Sequence, residues 1–390
     1  MTDAFHLIGK VLPLRVSTAA LCGLALLQVM AAAKAEQPAS ADSAAAAEPR
    51  YLPLEKLRGF YKLMPQKSSR EGVRTIANAG TTIEFGPGRR ELRIGGYRCL
   101  LSYPLKDDGA GDLLISEVDI VKLIDPILRP TYIAERRLVR TVIIDPGHGG
   151  YDTGITGGFV HEADCNLLLA LALREQLSKR GFAVLLTHEQ NRHLSDQQRI
   201  AVAGGVDAPI FISLHLNSGR SDIQGIETYT AAPECPGATP RPANKHDAAS
   251  AALAFAVHSS LVSASGAQDG GCRRAQYSLL NSIECPAIMV LAGYATHKEE
   301  GSRLNTPEYR EKLVMAITEG VSAFALAINP DATLVPTPEQ PAEPEVTTEP
   351  IAAPTPAPKP KADNKPKANK NKGTTKKPGR NNKRRNRKRR

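Results

Sequence analysis

A chain of 390 residues leaves room for two or three domains at ~150 residues each, and its 42% hydrophobic content can bury a real core, which excludes wholesale disorder. The formal charge of +10 sits at one end: residues 359–390 hold 16 Lys and Arg against one acid, Asp363, a net of +15, so residues 1–358 carry −5. A mildly acidic folded part argues against a globally basic nucleic-acid-binding domain, and no specific nucleic-acid recognition is expected.

Residues 1–35 read as a secretory signal. Lys10 and Arg15 precede an apolar run over residues 16–33, and Ala33-Lys34-Ala35 has the small-x-small form of a cleavage site. An uncleaved anchor is the competing reading, since 18 apolar residues lie at the short limit for a span. Ser, Thr, Gly, Cys and Gln dilute the stretch and favour cleavage. The protein is therefore expected to be exported, to the periplasm or cell envelope, with residues 36–50 as a linker. Five cysteines follow: Cys99, Cys165, Cys235, Cys272 and Cys285. In an oxidising compartment one or two disulfides are allowed, and an odd count leaves a thiol over. None lies in a CxxC or CxxH arrangement, so cysteine-ligated zinc has no support. Cys165 falls in an apolar helical pattern; pairing among Cys235, Cys272 and Cys285 stays open.

Residues 51–132 alternate strand-like runs (81–85, 91–94, 97–102) with turns at Gly86-Pro87-Gly88 and Gly95-Gly96. Leu52-Pro53-Leu54 leading into residues 57–63, and residues 113–128, read as strand-plus-helix units, the second roughly echoing the first. This small α+β region resembles the domain first described at the N-terminus of copper amine oxidases. The resemblance implies a binding or spacer module without metal ligands.

From Val139 the pattern becomes β/α. Strands are expected at 141–144, 183–186, 210–216, 225–230 and 287–291, and helices at 164–180, 195–202, 247–262 and 307–327. Such alternation over residues 138–329 implies a mainly parallel sheet flanked by helices, with sites at the carboxyl ends of strands. The rim segment 231–246, with its prolines, is a long connection. Residues 330–358, rich in Pro, Thr, Ala and Glu, read as an extended linker. The tail that follows, from Lys359 to Arg390, cannot bury apolar surface and is expected to be disordered. Its sixteen basic residues against one acid fit adhesion to an anionic envelope surface, with a solubilising tail as the alternative, and the lack of interleaved aromatics gives base stacking no support.

Three candidate metal ligands fall at strand or helix ends. His148 lies in the turn Asp145-Pro146-Gly147-His148-Gly149-Gly150, Glu162 precedes the first helix of this region, and His215 ends a strand within Ser213-Leu214-His215-Leu216-Asn217. Two imidazoles and a carboxylate are a ligand set of hydrolytic zinc, leaving a position for water or a substrate carbonyl. Paired glycines let the backbone approach the ion. Asp145 is expected to orient His148 through its second nitrogen or to cap the turn; Arg199 and Asn217 are expected to hold local geometry. Arg273 and Arg274 could meet substrate carboxylates or form a solvated pair.

Residues 141–154 (TVIIDPGHGGYDTG), 162–168, 185–187, 194–199, 211–217, 225–229, 273–280 and 286–294 together resemble the zinc-dependent N-acetylmuramoyl-L-alanine amidases of bacterial cell-wall turnover. The resemblance implies Zn²⁺ on His148, Glu162 and His215, with peptidoglycan as partner and the muramoyl–L-alanine amide as substrate. It also exposes a departure. Where the family carries a carboxylate in a pattern Leu-Val-Glu-x-Gly-Phe, this chain reads Met289-Val290-Leu291-Ala292-Gly293-Tyr294, so Leu291 marks the position of the family's general base. No replacement emerges: Glu284 lies ~23 Å upstream along an extended strand, Glu299 and Glu300 fit a helix start, Glu227 sits on a separate strand, and His297 is read as a solvated loop residue. The expectation is a peptidoglycan amidase of reduced activity, the alternative a non-catalytic zinc-containing peptidoglycan-binding or regulatory protein.

Overall fold

A computed structural model describes residues 49–331 apart from 69, 87–89, 135 and 233–243. The signal, the tail, the linker to 358, most of the 36–50 linker and Cys235 lie outside the described residues. Strand β1 (Tyr51–Pro53) runs into α1 (Leu54–Tyr61), which buries Leu54 and Leu57 and ends where Lys62 turns left-handed. Strands β2 (Met64–Gln66), β3 (Arg74–Ala77), β4 (Thr82–Phe85), β5 (Glu91–Ile94) and β6 (Tyr97–Leu100) make an antiparallel meander. Ile83, Phe85, Leu92 and Ile94 alternate inward and are buried, the period-two pattern of a sheet covered on one face. Strands β7 (Lys106–Asp107) and β8 (Leu113–Ser116) join β1 in a separate three-stranded sheet. Helical turns α2 (Glu117–Asp119), a π-helical turn (Ile120–Ile124) and α3 (Asp125–Leu128) complete this part.

The remainder alternates as its periodicity implies: β9 (Thr141–Pro146), α4 (Glu162–Lys179), β10 (Ala183–Leu186), α5 (Asp196–Gly204), β11 (Pro209–Asn217), β12 (Ile226–Ala231), α6 (Asp247–Ser265), β13 (Asp269–Ala275), α7 (Ser278–Ser282), β14 (Ala287–Tyr294), α8 (Lys298–Leu304) and α9 (Pro307–Ile328). Helix α5 starts with a capping box between Ser195 and Gln198, and α9 with Thr306 as cap and Pro307 in its first turn. The sheet order is β10-β9-β11-β14-β12-β13-β6-β5-β4-β3-β2. Pairings from β10 through β14 are parallel, β12 runs antiparallel to β14, and β13 is parallel to both β12 and β6. Strands β9 and β14 are buried throughout, because helices cover both faces. Ile144, Ile212 and Val290 pack with α4, α6 and α9; Ile143, Phe211 and Met289 pack on the opposite face with α5 and α7.

The meander is not set apart from this sheet. Cys99 of β6 is the register partner of Cys272 of β13, Arg93 pairs with Asp269, and the N–H of Arg98 donates to the Asp269 carboxylate. Strand β13 escaped the sequence reading because Gly270, Gly271, Arg273 and Arg274 leave it no alternating apolar face; its hydrogen bonds on two sides supply what its composition lacks.

Candidate metal centre

The site forms where β9 and β11 end beside the start of α4. After Pro146 the chain turns sharply. Gly147 has no side chain to spare, since a Cβ there would lie 2.2 Å from the His215 ring. His148 then takes φ 67°, a left-handed conformation costly for a residue with a Cβ, and Gly149, at φ 126°, lets the turn close through its bridge to Asp152 against the Arg192 carbonyl. The glycines thus seat the loop against His215 and a neighbouring loop. Glu162, the first residue of α4, is 2% exposed.

One ligand atom from each of His148, Glu162 and His215 lies within 4.8 Å of the others. His148 Nε2 is 3.2 Å and His215 Nδ1 3.1 Å from the same oxygen, Glu162 Oε1, and the two rings meet edge-on with centroids 4.9 Å apart. Burial pushes the Glu162 carboxyl up, but hydrogen bonds to both imidazoles and from the Leu216 N–H outweigh it and hold the group well below the usual carboxylate range. The same bond to Glu162 raises His148 against the opposing effect of its burial. Two nitrogens and a buried anionic oxygen converging from three elements can hold a small divalent cation and leave a coordination position open toward the cleft. Gly154 completes the cradle, as a Cβ there would stand 2.6 Å from Glu162 Oε2.

The residue that steers His148 is Asp152, whose Oδ1 lies 2.9 Å from His148 Nδ1, leaving Nε2 for Glu162 and a cation. Sequence reading missed it and offered Asp145 either for this task or as a cap of the turn. Asp145 faces elsewhere: it is 1% exposed, pairs with Arg199, and accepts hydroxyl bonds from Thr187 and Ser213, each at 2.8 Å. The available signal for Asp152 was its position four residues after His148 in a turn of consecutive glycines. Asp152→Ala is expected to weaken divalent-metal affinity ~10–100-fold while leaving the fold intact, read by zinc titration against a competing chelator.

Arg199 holds the metal loop from below. Besides Asp145 it donates to the carbonyls of Pro146 (2.9 Å), His148 (3.0 Å) and Leu194 (3.2 Å). Asn217 secures the other side, accepting from the Ser218 N–H and donating to Glu227 at 3.2 Å.

Leu291 lines the same cleft, of about 500 Å³, with Met289 and Tyr277. It is the register partner of His215 on one side and of Glu227 on the other, so the three side chains form a row on one face of the sheet. Glu227 brings a carboxylate one strand beyond Leu291, but that carboxylate is engaged by Arg273 (2.9 Å), Tyr229 (2.8 Å), Tyr294 (3.3 Å) and Asn217. Burial first, then the Glu227 charge, pushes the Tyr294 phenol up to about 12, so it remains a donor. Arg273 is therefore committed within the fold, and Arg274 lies buried 3.5 Å from Asp247; neither forms a solvated pair. Glu300 is buried, accepting the N–H groups of Gly225 and Tyr294, and His297 caps α8 instead of being merely solvated. Among the described residues no free carboxylate stands beside Leu291.

A model of the N-acetylmuramoyl-L-alanine amidase family matches residues 142–323. The uncharacterized protein YqiI of Bacillus subtilis is 28% identical over 185 residues, 47% of this chain and 84% of YqiI. N-acetylmuramoyl-L-alanine amidase LytC of the same organism is 28% identical over 185 residues, again 47% of this chain but only 35% of LytC. Its sporulation-specific N-acetylmuramoyl-L-alanine amidase is 29% identical over 188 residues, 47% of this chain and 68% of that protein. The likeness thus covers the region around the candidate metal centre and about a third of LytC.

Proposed function

We propose that the protein, whose residues 142–323 match the N-acetylmuramoyl-L-alanine amidase family model, engages peptidoglycan outside the cytoplasm and hydrolyses the amide joining N-acetylmuramic acid to L-alanine, with Zn²⁺ on His148, Glu162 and His215. The observation that carries this reading is the convergence of those three donors within 4.8 Å at the carboxyl edge of a mainly parallel sheet. Zinc bound there would polarise the scissile carbonyl and make a water a usable nucleophile at neutral pH. Glu162 ties both imidazoles together, Asp152 fixes the ring of His148, and Arg199 keeps the loop carbonyls in place. What the chain does not offer is a proton carrier at Leu291, which can neither accept a proton from water nor return one to the leaving amine. That absence is expected to slow turnover by ~10²–10⁴ relative to a site holding a carboxylate there.

The apolar wall made by Leu291, Met289 and Leu279 favours one second reading: a zinc protein that binds peptidoglycan without turning it over. The run of residues 359–390 would add adhesion to an anionic envelope surface in either case. Incubating purified protein and Zn²⁺ with peptidoglycan and analysing soluble products by mass spectrometry separates the two. Slow release of free stem peptide, stopped by a chelator, is the expected result. Sedimentation of the protein with the polymer but no peptide release would leave the binding reading.

A further inference from the structure

We propose that Cys99 and Cys272 are joined by a disulfide when the protein folds in an oxidising compartment, clamping the N-terminal meander to the sheet that carries the metal centre. Cys99 on β6 and Cys272 on β13 are register partners on adjacent strands. Paired strands run ~4.7–4.9 Å apart, inside the ~4.4–6.8 Å Cα separation that disulfides span. Register partners point to the same face, and both cysteines carry free thiols in this structure. Both are buried in one apolar cluster, at 0% and 4% exposure. Cys165 and Cys285 lie in other clusters, so among the described residues neither thiol has a competing cysteine within its own. Cys272↔Cys99 is also the register pair that joins the meander to β13, so a covalent bond there would lock the seam where the two parts of the sheet meet.

Closure converts two thiols into one S–S bond with loss of two protons and two electrons. A protein disulfide oxidant of the compartment accepts them by thiol–disulfide exchange, its own S–S bond opening to two thiols. Burial holds the Cys272 thiol well above its ordinary range and shields both sulfurs, so exchange must come before β6 closes on β13. Once formed, the bond is sheltered from reductant until the seam opens.

The test uses the full chain, denatured and reduced, then refolded in a buffer of oxidised and reduced glutathione. Free thiols are alkylated under denaturing conditions, and the protein is digested without reductant for mass mapping. The expected result is a linked peptide pair holding Cys99 and Cys272, with a higher Tm for the oxidised protein than for the same protein refolded reduced. Alkylated Cys99 and Cys272 after oxidative refolding overturn the proposal, as does either of them linked to Cys235. Because mapping is done on the unaltered sequence, poor folding of serine variants does not bear on the outcome, and neither does the fate of the zinc reading.

Discussion

Leu291→Glu is expected to raise release of stem peptide from peptidoglycan by ~10²–10⁴, the usual contribution of a positioned general acid–base group. A new side chain at position 291 would emerge beside His215 at the spacing of neighbouring strands, ~4.8 Å, and face the cleft. The new carboxylate would stand across from Glu227, whose charge Arg273 already offsets. The residual repulsion and the apolar wall of Met289 and Leu279 would both raise the introduced group's pKa. That direction suits a base which must later return its proton. A rate no higher than that of the parent protein, with zinc still bound, would show that this row does not face the scissile bond.

Arg199→Ala is expected to cost ~3–5 kcal/mol of folding stability, as removal of one partner from a buried ion pair typically does. Arg199 is 5% exposed and Asp145 1%, so the orphaned carboxylate would keep only the Thr187 and Ser213 hydroxyls. The carbonyls of Pro146 and His148 would lose their donors at the same time, loosening the loop that presents His148. Arg199→Lys keeps the charge but cannot span the four acceptors with a planar fork, so it should restore only part of the loss. Urea unfolding followed by circular dichroism reads both; a change under 1 kcal/mol for the alanine variant would mean that the pair contributes little.

The catalytic-type core was legible because its signals are local and strong. Residues 142–144 are an apolar run buried on both faces, α4 carries Leu169, Leu173 and Leu177 at helical spacing, and His148 and His215 sit at the ends of buried strands. What stayed hidden depends on which side chains meet across the fold. Asp145 and Asp152 flank the same histidine, and only the turn made at Gly149 and Gly150 decides that Asp152 reaches it. Arg273 and Arg274 look alike in sequence, yet β-strand alternation sends one to Glu227 and the other to a buried site beside Asp247. Strand β13 has no hydrophobic period of its own, so the joining of the meander to the larger sheet could not be read from residues 269–275. Glu227 was set aside because it lies on another strand; the register that puts it in line with Leu291 and His215 is a property of pairing, not of spacing.

Zinc stoichiometry of the purified protein, measured by equilibrium dialysis and elemental analysis beside Glu162→Ala, tests the central claim most directly. Glu162 Oε1 is the acceptor that both imidazoles approach, so its removal takes away the only anionic group of the three. One zinc per chain in the parent protein, lost in Glu162→Ala while the fold persists by circular dichroism, is the expected result. Failure of the folded parent to retain zinc, or retention undiminished after Glu162 is removed, would contradict a metal centre at these residues.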